Sequence, residues 1–313
     1  MSILLNENTR VLVQGATGWQ AQRHVPFMVA YGTNVLAGVS PGKSGARVAG
    51  RPVFDSVEDA VDSVGGFDAS VLFVAGVDAA EAVYEALAGG VKLLIVLAEG
   101  VPFRDSVEFI AEAAAQGATV IGPNSQGIIT PGRAKVGGTG GDRPDRIFMP
   151  GRVGVVSRSG GMGAETCWQL TRRGIGQSTY VAIGGELICG AGFAIVAKWF
   201  EDDPATDVIV CFGEPGTDQE EQLAAAISSG SIRKPVIAYV PGTFIESKCQ
   251  GRSYGHAGAV ISERSGAPSR KRELLREAGA YVVDDWSEVS TLVDEQLSIS
   301  APEGGSQNYA TLS

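Results

Sequence analysis

The sequence predicts an α/β protein of two parallel-sheet domains in tandem, a Rossmann-like one followed by a flavodoxin-like one. Three observations predict it. Short apolar runs such as Arg10-Val11-Leu12-Val13 and Ser70-Val71-Leu72-Phe73-Val74 alternate with longer helical stretches, as strands covered by helices on both faces do. Glycine-rich loops follow the strands in both halves of the chain. The alternation also starts twice, near Thr9 and again at Arg152, and 313 residues leave room for two domains of ~150 each.

In order, residues 9–14 form a buried strand that runs into Gly15-Ala16-Thr17-Gly18-Trp19-Gln20 and a helix to about Tyr31. A second strand covers 34–39 and ends in Ser40-Pro41-Gly42-Lys43. Ser56 is placed to cap a helix over 56–64, because its oxygen can accept an orphan N–H of the first turn. Strands at 70–74, 92–97 and 118–121 alternate with helices at 78–87 and 105–116. Residues 123–150 carry little helical or strand signal, so the domain junction falls here, near Met149. Residues 1–149 make the first domain and 150–297 the second. The second has strands at 153–156, 179–183, 207–212, 235–240 and 280–283, with helices between them. Pro268 suits the first turn of one helix. Residues 298–313 are polar and expected to be a disordered tail.

Composition narrows the function. Net charge is -10 with no Lys/Arg-rich block, which argues against nucleic acid and anionic membrane as partners. No apolar run approaches the ~20 residues that span a bilayer. The start, Met1-Ser2-Ile3-Leu4-Leu5, meets Asn6-Glu7-Asn8 at once, unlike a signal peptide. Cys167, Cys189, Cys211 and Cys249 lack metal-ligand spacing, and three lie in or beside apolar stretches. Buried thiols in a reducing cytoplasm are expected, with no metal site.

The chemistry centres on Gly255-His256-Ala257-Gly258-Ala259. Nothing bulky flanks His256, so a large ligand and other loops can close on the imidazole. Neutral imidazole is a nucleophile at physiological pH, and a phosphohistidine is one use of it; an inert histidine in a tight loop is the other. Gly15-x-Thr17-Gly18-x-Gln20 can set backbone N–H groups and a helix start against a phosphate. It departs from a dinucleotide fingerprint, with Thr17 in place of the second glycine and Lys43 where an acid would grip a ribose. A lysine there suits an extra phosphate, such as the 3′-phosphate of coenzyme A, though a plain turn with a surface lysine would look the same. Ser157-Arg158-Ser159-Gly160-Gly161 opens a helix and offers two hydroxyls and unhindered N–H groups to a second anion, or an ordinary helix cap. Glu214 could hold one imidazole nitrogen and leave the other for phosphorus; Glu186 is a rival partner.

Together these segments resemble the α subunit of succinyl-CoA synthetase (succinate–CoA ligase), from Met1 to about Val293. The match runs through Gly38-Val39-Ser40-Pro41-Gly42-Lys43-Ser44-Gly45, Ala98-Glu99-Gly100-Val101-Pro102, Gly122-Pro123-Asn124, Val156-Ser157-Arg158-Ser159-Gly160 and the pentapeptide around His256. The resemblance implies that a β subunit of ATP-grasp fold, which holds most of the ATP or GTP and its Mg2+, phosphorylates His256. The phosphoryl group would then pass to a small carboxylic acid, and the CoA thiol would attack the acyl phosphate. It implies CoA contacts at Thr17, Gly18, Trp19, Gln20, Lys43, Leu97, Ala98 and Glu99, and an orienting role for Glu214. Phosphate or substrate contacts are implied at Asn124, Ser125, Ser159, Gly160 and Gly161.

Three departures concern the acid. Ser125-Gln126 stands where the family usually has Cys-Pro. Gly160-Gly161-Met162-Gly163-Ala164-Glu165 replaces a stretch with a tyrosine, and Gly185-Glu186-Leu187 stands where Gly-Asp-Pro is usual. The Ser-Gly-Gly-Met stretch, Gly138-Thr139-Gly140-Gly141 and Gly242-Thr243-Phe244 look more like ATP citrate lyase. Succinate is therefore the default acid, with a hydroxy- or tricarboxylate such as malate or citrate the alternative. A non-catalytic CoA-binding regulator is opposed by the presence of both His256 and Glu214, and a nicotinamide oxidoreductase by the missing acidic residue after the second strand.

Overall fold

A computed structural model describes residues 3–246, 256–260 and 266–300. The first sheet takes β1 (Val11–Gln14), β2 (Val35–Val39), the hairpin β3 (Arg47–Val48) and β4 (Arg51–Phe54), β5 (Ala69–Leu72), β6 (Leu93–Val96) and β7 (Thr119–Ile121). Its order is β3-β4-β2-β1-β5-β6-β7, with every pair parallel except β3 with β4. Four helices connect these strands: α1 (Trp19–Ala30), α2 (Val57–Val64), α3 (Ala79–Ala88) and α4 (Phe103–Ala115). The chain reverses its direction of winding at β1, the place where α/β sheets open a crevice for ligands. Ser56 caps α2 as expected, accepting the N–H of Asp59.

The second sheet begins inside the segment that carried no strand signal. β8 (Gly127–Thr130) and β9 (Ala134–Gly137) form an antiparallel hairpin on the edge next to β11 (Gln177–Ala182). The full order is β14-β13-β12-β10-β11-β8-β9, with β10 (Pro150–Ser157), β12 (Val208–Phe212), β13 (Val236–Tyr239) and β14 (Tyr281–Val282). The parallel part is covered by α5 (Gly160–Thr171), α6 (Phe193–Asp202), α7 (Gln219–Ser228), α8 (Pro268–Glu277) and α9 (Val289–Ser300). Glycines blunt the signal of the β8–β9 hairpin: Gly127 and Gly137 pair with each other across it, both at positive φ. Helix α9 runs on to Ser300, past the point where the tail was expected to begin; residues 301–313 lie outside the described residues.

The two sheets share one hydrophobic cluster. It is continuous from Val11 and Val13 through Val25 and Met28 of α1 to Ala134 and Val136 of β9 and on to Val156 and Val181. At ~25 cal/mol per Å2 of apolar surface removed from water, a shared cluster of this kind stabilises both the domains and their mutual placement. Gly190 donates its N–H to the carbonyl of Gly122 at 3.0 Å, and Ala191 to that of Val120 at 2.8 Å. The loops after β7 and β11 are thus sewn together, and the carboxyl ends of the two parallel sheets meet there.

Candidate active site

β10 ends at Ser157 and turns directly into α5. Ser159 caps that helix, its hydroxyl accepting the N–H of Met162 at 3.3 Å. Ser157 is buried and donates its hydroxyl to the carbonyl of Ser159 at 2.7 Å. Both hydroxyls serve the turn itself. What α5 presents to an anion is the first-turn N–H groups, at Gly160 and Gly161, and the positive end of the helix dipole.

β12 leads into Gly213-Glu214-Pro215-Gly216. Glu214 Oε2 lies 2.6 Å from His256 Nδ1. Its other oxygen accepts from Arg158 Nε at 2.7 Å and Nη2 at 2.6 Å. Arg158 Nη2 also donates to the carbonyl of Glu186 at 2.9 Å, and Nη1 faces Cys189 Sγ at 3.4 Å. The rival carboxylate, Glu186, instead accepts the N–H of Gly100 at 3.0 Å, tying the loop after β6 to the loop after β11. Close approach explains the small residues. A Cβ on Gly185 would collide with the His256 ring, and one on Gly258 with the Arg158 guanidinium. Gly258 donates its N–H to the carbonyl of Gly185 at 3.0 Å; Gly255 lies outside the described residues.

His256, Glu214, Ser159 and Met162 share a cavity of about 470 Å3 whose remaining wall is mainly apolar, with Phe212, Tyr239 and Trp286. The Glu214 hydrogen bond holds the His256 imidazole above its ordinary value of 6.5; burial and the Arg158 charge work against it, and Glu99 adds to it. His24 behaves oppositely. Burial first, then Lys135 and Arg23, press it below 6.5, and its ring stacks on Phe73.

In the first domain, Gly15, Thr17, Gly18, Ser40 and Pro41 line a cavity of about 430 Å3 at the carboxyl end of the sheet. Gly15 sits at φ +71, and a Cβ there would strike the carbonyl of Phe73, so glycine is required. Thr17 donates its N–H to Ser40 Oγ at 3.1 Å. Trp19, 71% exposed, and Gln20 open α1 but do not line this cavity. Lys43 is exposed in a turn held by Asp55, whose Oδ1 accepts the N–H groups of Lys43 and Ser44, each at 2.8 Å. Leu97, Ala98 and Glu99 follow β6, and Glu99 is near enough to act on the His256 charge.

The backbone of Asn124 and the hydroxyl of Ser125 tie down the loop after β7. Asn124, at φ 57, donates its N–H to the carbonyl of Ala98 at 2.8 Å. Ser125 is buried; its hydroxyl donates to the carbonyl of Ala182 at 2.5 Å and accepts the N–H of Gly127 at 2.9 Å. Gln126 is exposed and lies over Gly160, where a Cβ would collide with its side chain. Sequence reasoning assigned no role to Arg158. It lies within the Ser-Arg-Ser-Gly stretch, and the only sequence signal was a cation set between the two serines of that loop. Among the described residues, no group of three or more His, Cys, Asp or Glu side chains could hold a metal ion.

Two family models match the chain: a CoA binding domain over residues 6–100 and a succinyl-CoA ligase like flavodoxin domain over 150–294. The ADP-forming succinate–CoA ligase α subunit of Methanothermobacter thermautotrophicus is 43% identical, covering 95% of this chain and 98% of that protein. The chain belongs to the succinate–CoA ligase α-subunit family. Its relatives in that family include the malate–CoA ligase α subunit of Methylorubrum extorquens, 40% identical over 96% of this chain and all of that one. Among solved structures, the ATP citrate lyase of Methanosaeta concilii in complex with (3S)-citryl-CoA superimposes with a TM-score of 0.90 at 28% identity, over 99% of this chain. This chain spans 53% of that longer one.

The two histidines allow a direct check. In a 15N NMR titration, His256 should titrate above 6.5 and His24 below it. Glu214→Gln should lower the His256 midpoint, since burial and Arg158 then act unopposed by that bond. The raised value also means that the contact stabilises the fold fully below pH 6.5 and that this gain is lost as pH rises through the folded-state value. An unchanged His256 midpoint in Glu214→Gln would remove Glu214 as its partner.

Proposed function

We propose that this chain is the phosphoryl-carrying α subunit of a nucleotide-dependent acid–CoA ligase, with His256 as the carrier. The observation that bears most weight is the 2.6 Å contact of Glu214 with Nδ1, beside the N-terminus of α5. It supports a reading in which Nδ1 carries the proton and Nε2 takes the phosphoryl group. Nε2 attacks the terminal phosphorus of ATP or GTP, the bridging P–O bond breaks, and the nucleoside diphosphate leaves. Glu214 then faces the positive charge that the phosphorylated ring acquires. The N–H groups of Gly160 and Gly161 suit the phosphoryl oxygens. A carboxylate oxygen of the acid takes the phosphorus and the Nε2–P bond breaks. The CoA sulfur next attacks the acyl carbon, losing its proton, and inorganic phosphate departs.

CoA is assigned to the cavity at Thr17 and Gly18, with Lys43 toward its 3′-phosphate and the loop at Leu97, Ala98 and Glu99 leading to the second site. That loop is fixed to the second domain through Gly100 and Glu186, which supports passage of the thiol between the two. The nucleotide and Mg2+ are assigned to a β subunit of ATP-grasp fold, and the site of action to the cytoplasm. The buried free thiols at Cys167 and Cys211 fit a reducing compartment. Among the described residues, no helix is long and apolar enough to cross a membrane.

With the partner subunit and labelled nucleotide, acid-labile phosphate should appear on His256 alone. His256→Asn should remove both the label and acyl-CoA formation with its thermal transition intact. Label persisting on that variant would sink the assignment.

The acid is the finer question. Exposed Gln126 over Gly160 and the open space at Gly161 favour an acid with a hydroxyl or a third carboxylate over succinate, because the amide can hydrogen-bond to the extra group. Malate or citrate should outrank succinate in kcat/KM for acyl-CoA formation, and Gln126→Ala should narrow the gap by roughly 10-fold, about one hydrogen bond. Succinate ranking first would retire this substrate while leaving the phosphohistidine in place.

A further inference from the structure

The chemistry assigned to His256 uses Glu214 but says nothing of what holds Glu214. A glutamate on a glycine-flanked loop has three side-chain torsions to fix, and only one orientation of its carboxylate serves Nδ1. The structure fixes it from two sides. From behind, Glu220 Oε1 accepts the backbone N–H of Glu214 at 2.9 Å, and the buried Lys271 ammonium pairs with the other oxygen of Glu220. From the side, Arg158 grips Oε1 of Glu214 through both Nε and Nη2, leaving Oε2 turned toward the imidazole.

Arg158 is itself immobilised. Its side chain has no exposed surface, and it reaches the carbonyl of Glu186 at 2.9 Å and the thiol of Cys189. Those residues follow β11, Arg158 follows β10, and Glu214 follows β12, so one guanidinium binds three strand ends beneath the histidine. Gly258 packs against it so closely that a Cβ would collide. A planar fork of five donors can make all these contacts at once; an ammonium cannot.

We propose that Arg158 is a positioning residue for phosphoryl transfer, aiming the Glu214 carboxylate at Nδ1 of His256 and offsetting its charge so that the imidazole remains a nucleophile. This rests on the phosphohistidine reading above. The second role follows from the groups around the ring. Glu214 and Glu99 favour the imidazolium, while burial and Arg158 oppose it. The Glu186 carboxylate is engaged by Gly100, the Cys189 thiol is held up by burial, and Glu220 is matched by Lys271. Among the described residues, Arg158 is thus the cation that limits how far the two carboxylates protonate the nucleophile.

The test compares Arg158→Lys with Arg158→Gln in the full chain, with and without its partner subunit. Arg158→Lys keeps the charge and loses the fork. Its His256 NMR midpoint should stay near the parent value, while the rate of histidine phosphorylation falls on the order of 10–100-fold, as for a displaced catalytic group. Arg158→Gln loses the charge as well. Its His256 midpoint should rise, moving the acidic limb of the phosphorylation profile to higher pH with it. KM for CoA should hold in both, since the first-domain cavity is untouched. Both variants phosphorylating at the parent rate per folded molecule, with unmoved midpoints, would overturn the proposal. If Arg158→Gln does not fold, Arg158→Lys decides: a parent-like rate refutes a positioning role. The NMR midpoint is read without nucleotide, so failure of the phosphohistidine reading would show separately, as an unlabelled parent protein.

Discussion

The second domain is organised around one buried carboxylate. Glu214 stands between a guanidinium and an imidazole, 6% exposed, and each of its oxygens is matched. Removing the guanidinium would leave the carboxylate's charge without its buried cation, which typically costs about 3–5 kcal/mol when a buried pair is broken. That constraint accounts for features that otherwise look unconnected. Gly185 and Gly258 are glycines because the ring and the guanidinium occupy the space a Cβ would need. Gly216, at φ +81, has no room for a side chain against the backbone of Gly258 and Val260. The loops after β10, β11 and β12 must end at one depth, and the parallel register of those strands ensures that they do.

The first domain contributes a second cavity and the bonds that tie it to the second domain. Its crevice opens where the strand order reverses, at Gly15, Thr17 and Gly18. The distance between two such crevices would be of no use if the domains drifted. The shared hydrophobic cluster through α1 and β9, the Gly122–Gly190 bond and the Gly100–Glu186 bond hold them in place. Coupling of this kind converts an encounter between two bound groups into a local event.

Much of this was legible in the residues. Continuous apolar strands and their glycine-ended loops marked both sheets, and the Glu214–His256 pair was one of two options read from loop position. The β8–β9 hairpin was not legible, because its glycines and the antiparallel edge break the apolar pattern that marks a parallel strand. Nor was the choice between Glu214 and Glu186, which depends on how the loop after β6 approaches. Ser125 looked like a polar group facing substrate, and its hydroxyl proves to be shared between Ala182 and Gly127. Of the two readings open for the Ser157 hydroxyl, an anion or the turn, the structure shows it bonded to the turn. A hydroxyl's partner is a tertiary fact, and a loop sequence alone does not contain it. Arg158 was hidden for a similar reason: arginine is mostly exposed, and only its carboxylate partner reveals why it is inside.

The most direct measurement is the position of phosphorus on the ring. The complex is phosphorylated with nucleotide and examined by 1H–31P correlation NMR. Because Glu214 occupies Nδ1, phosphorus should be found on Nε2 of His256, with the Nδ1 proton still present. Phosphorus on Nδ1, or on any other residue, would contradict it.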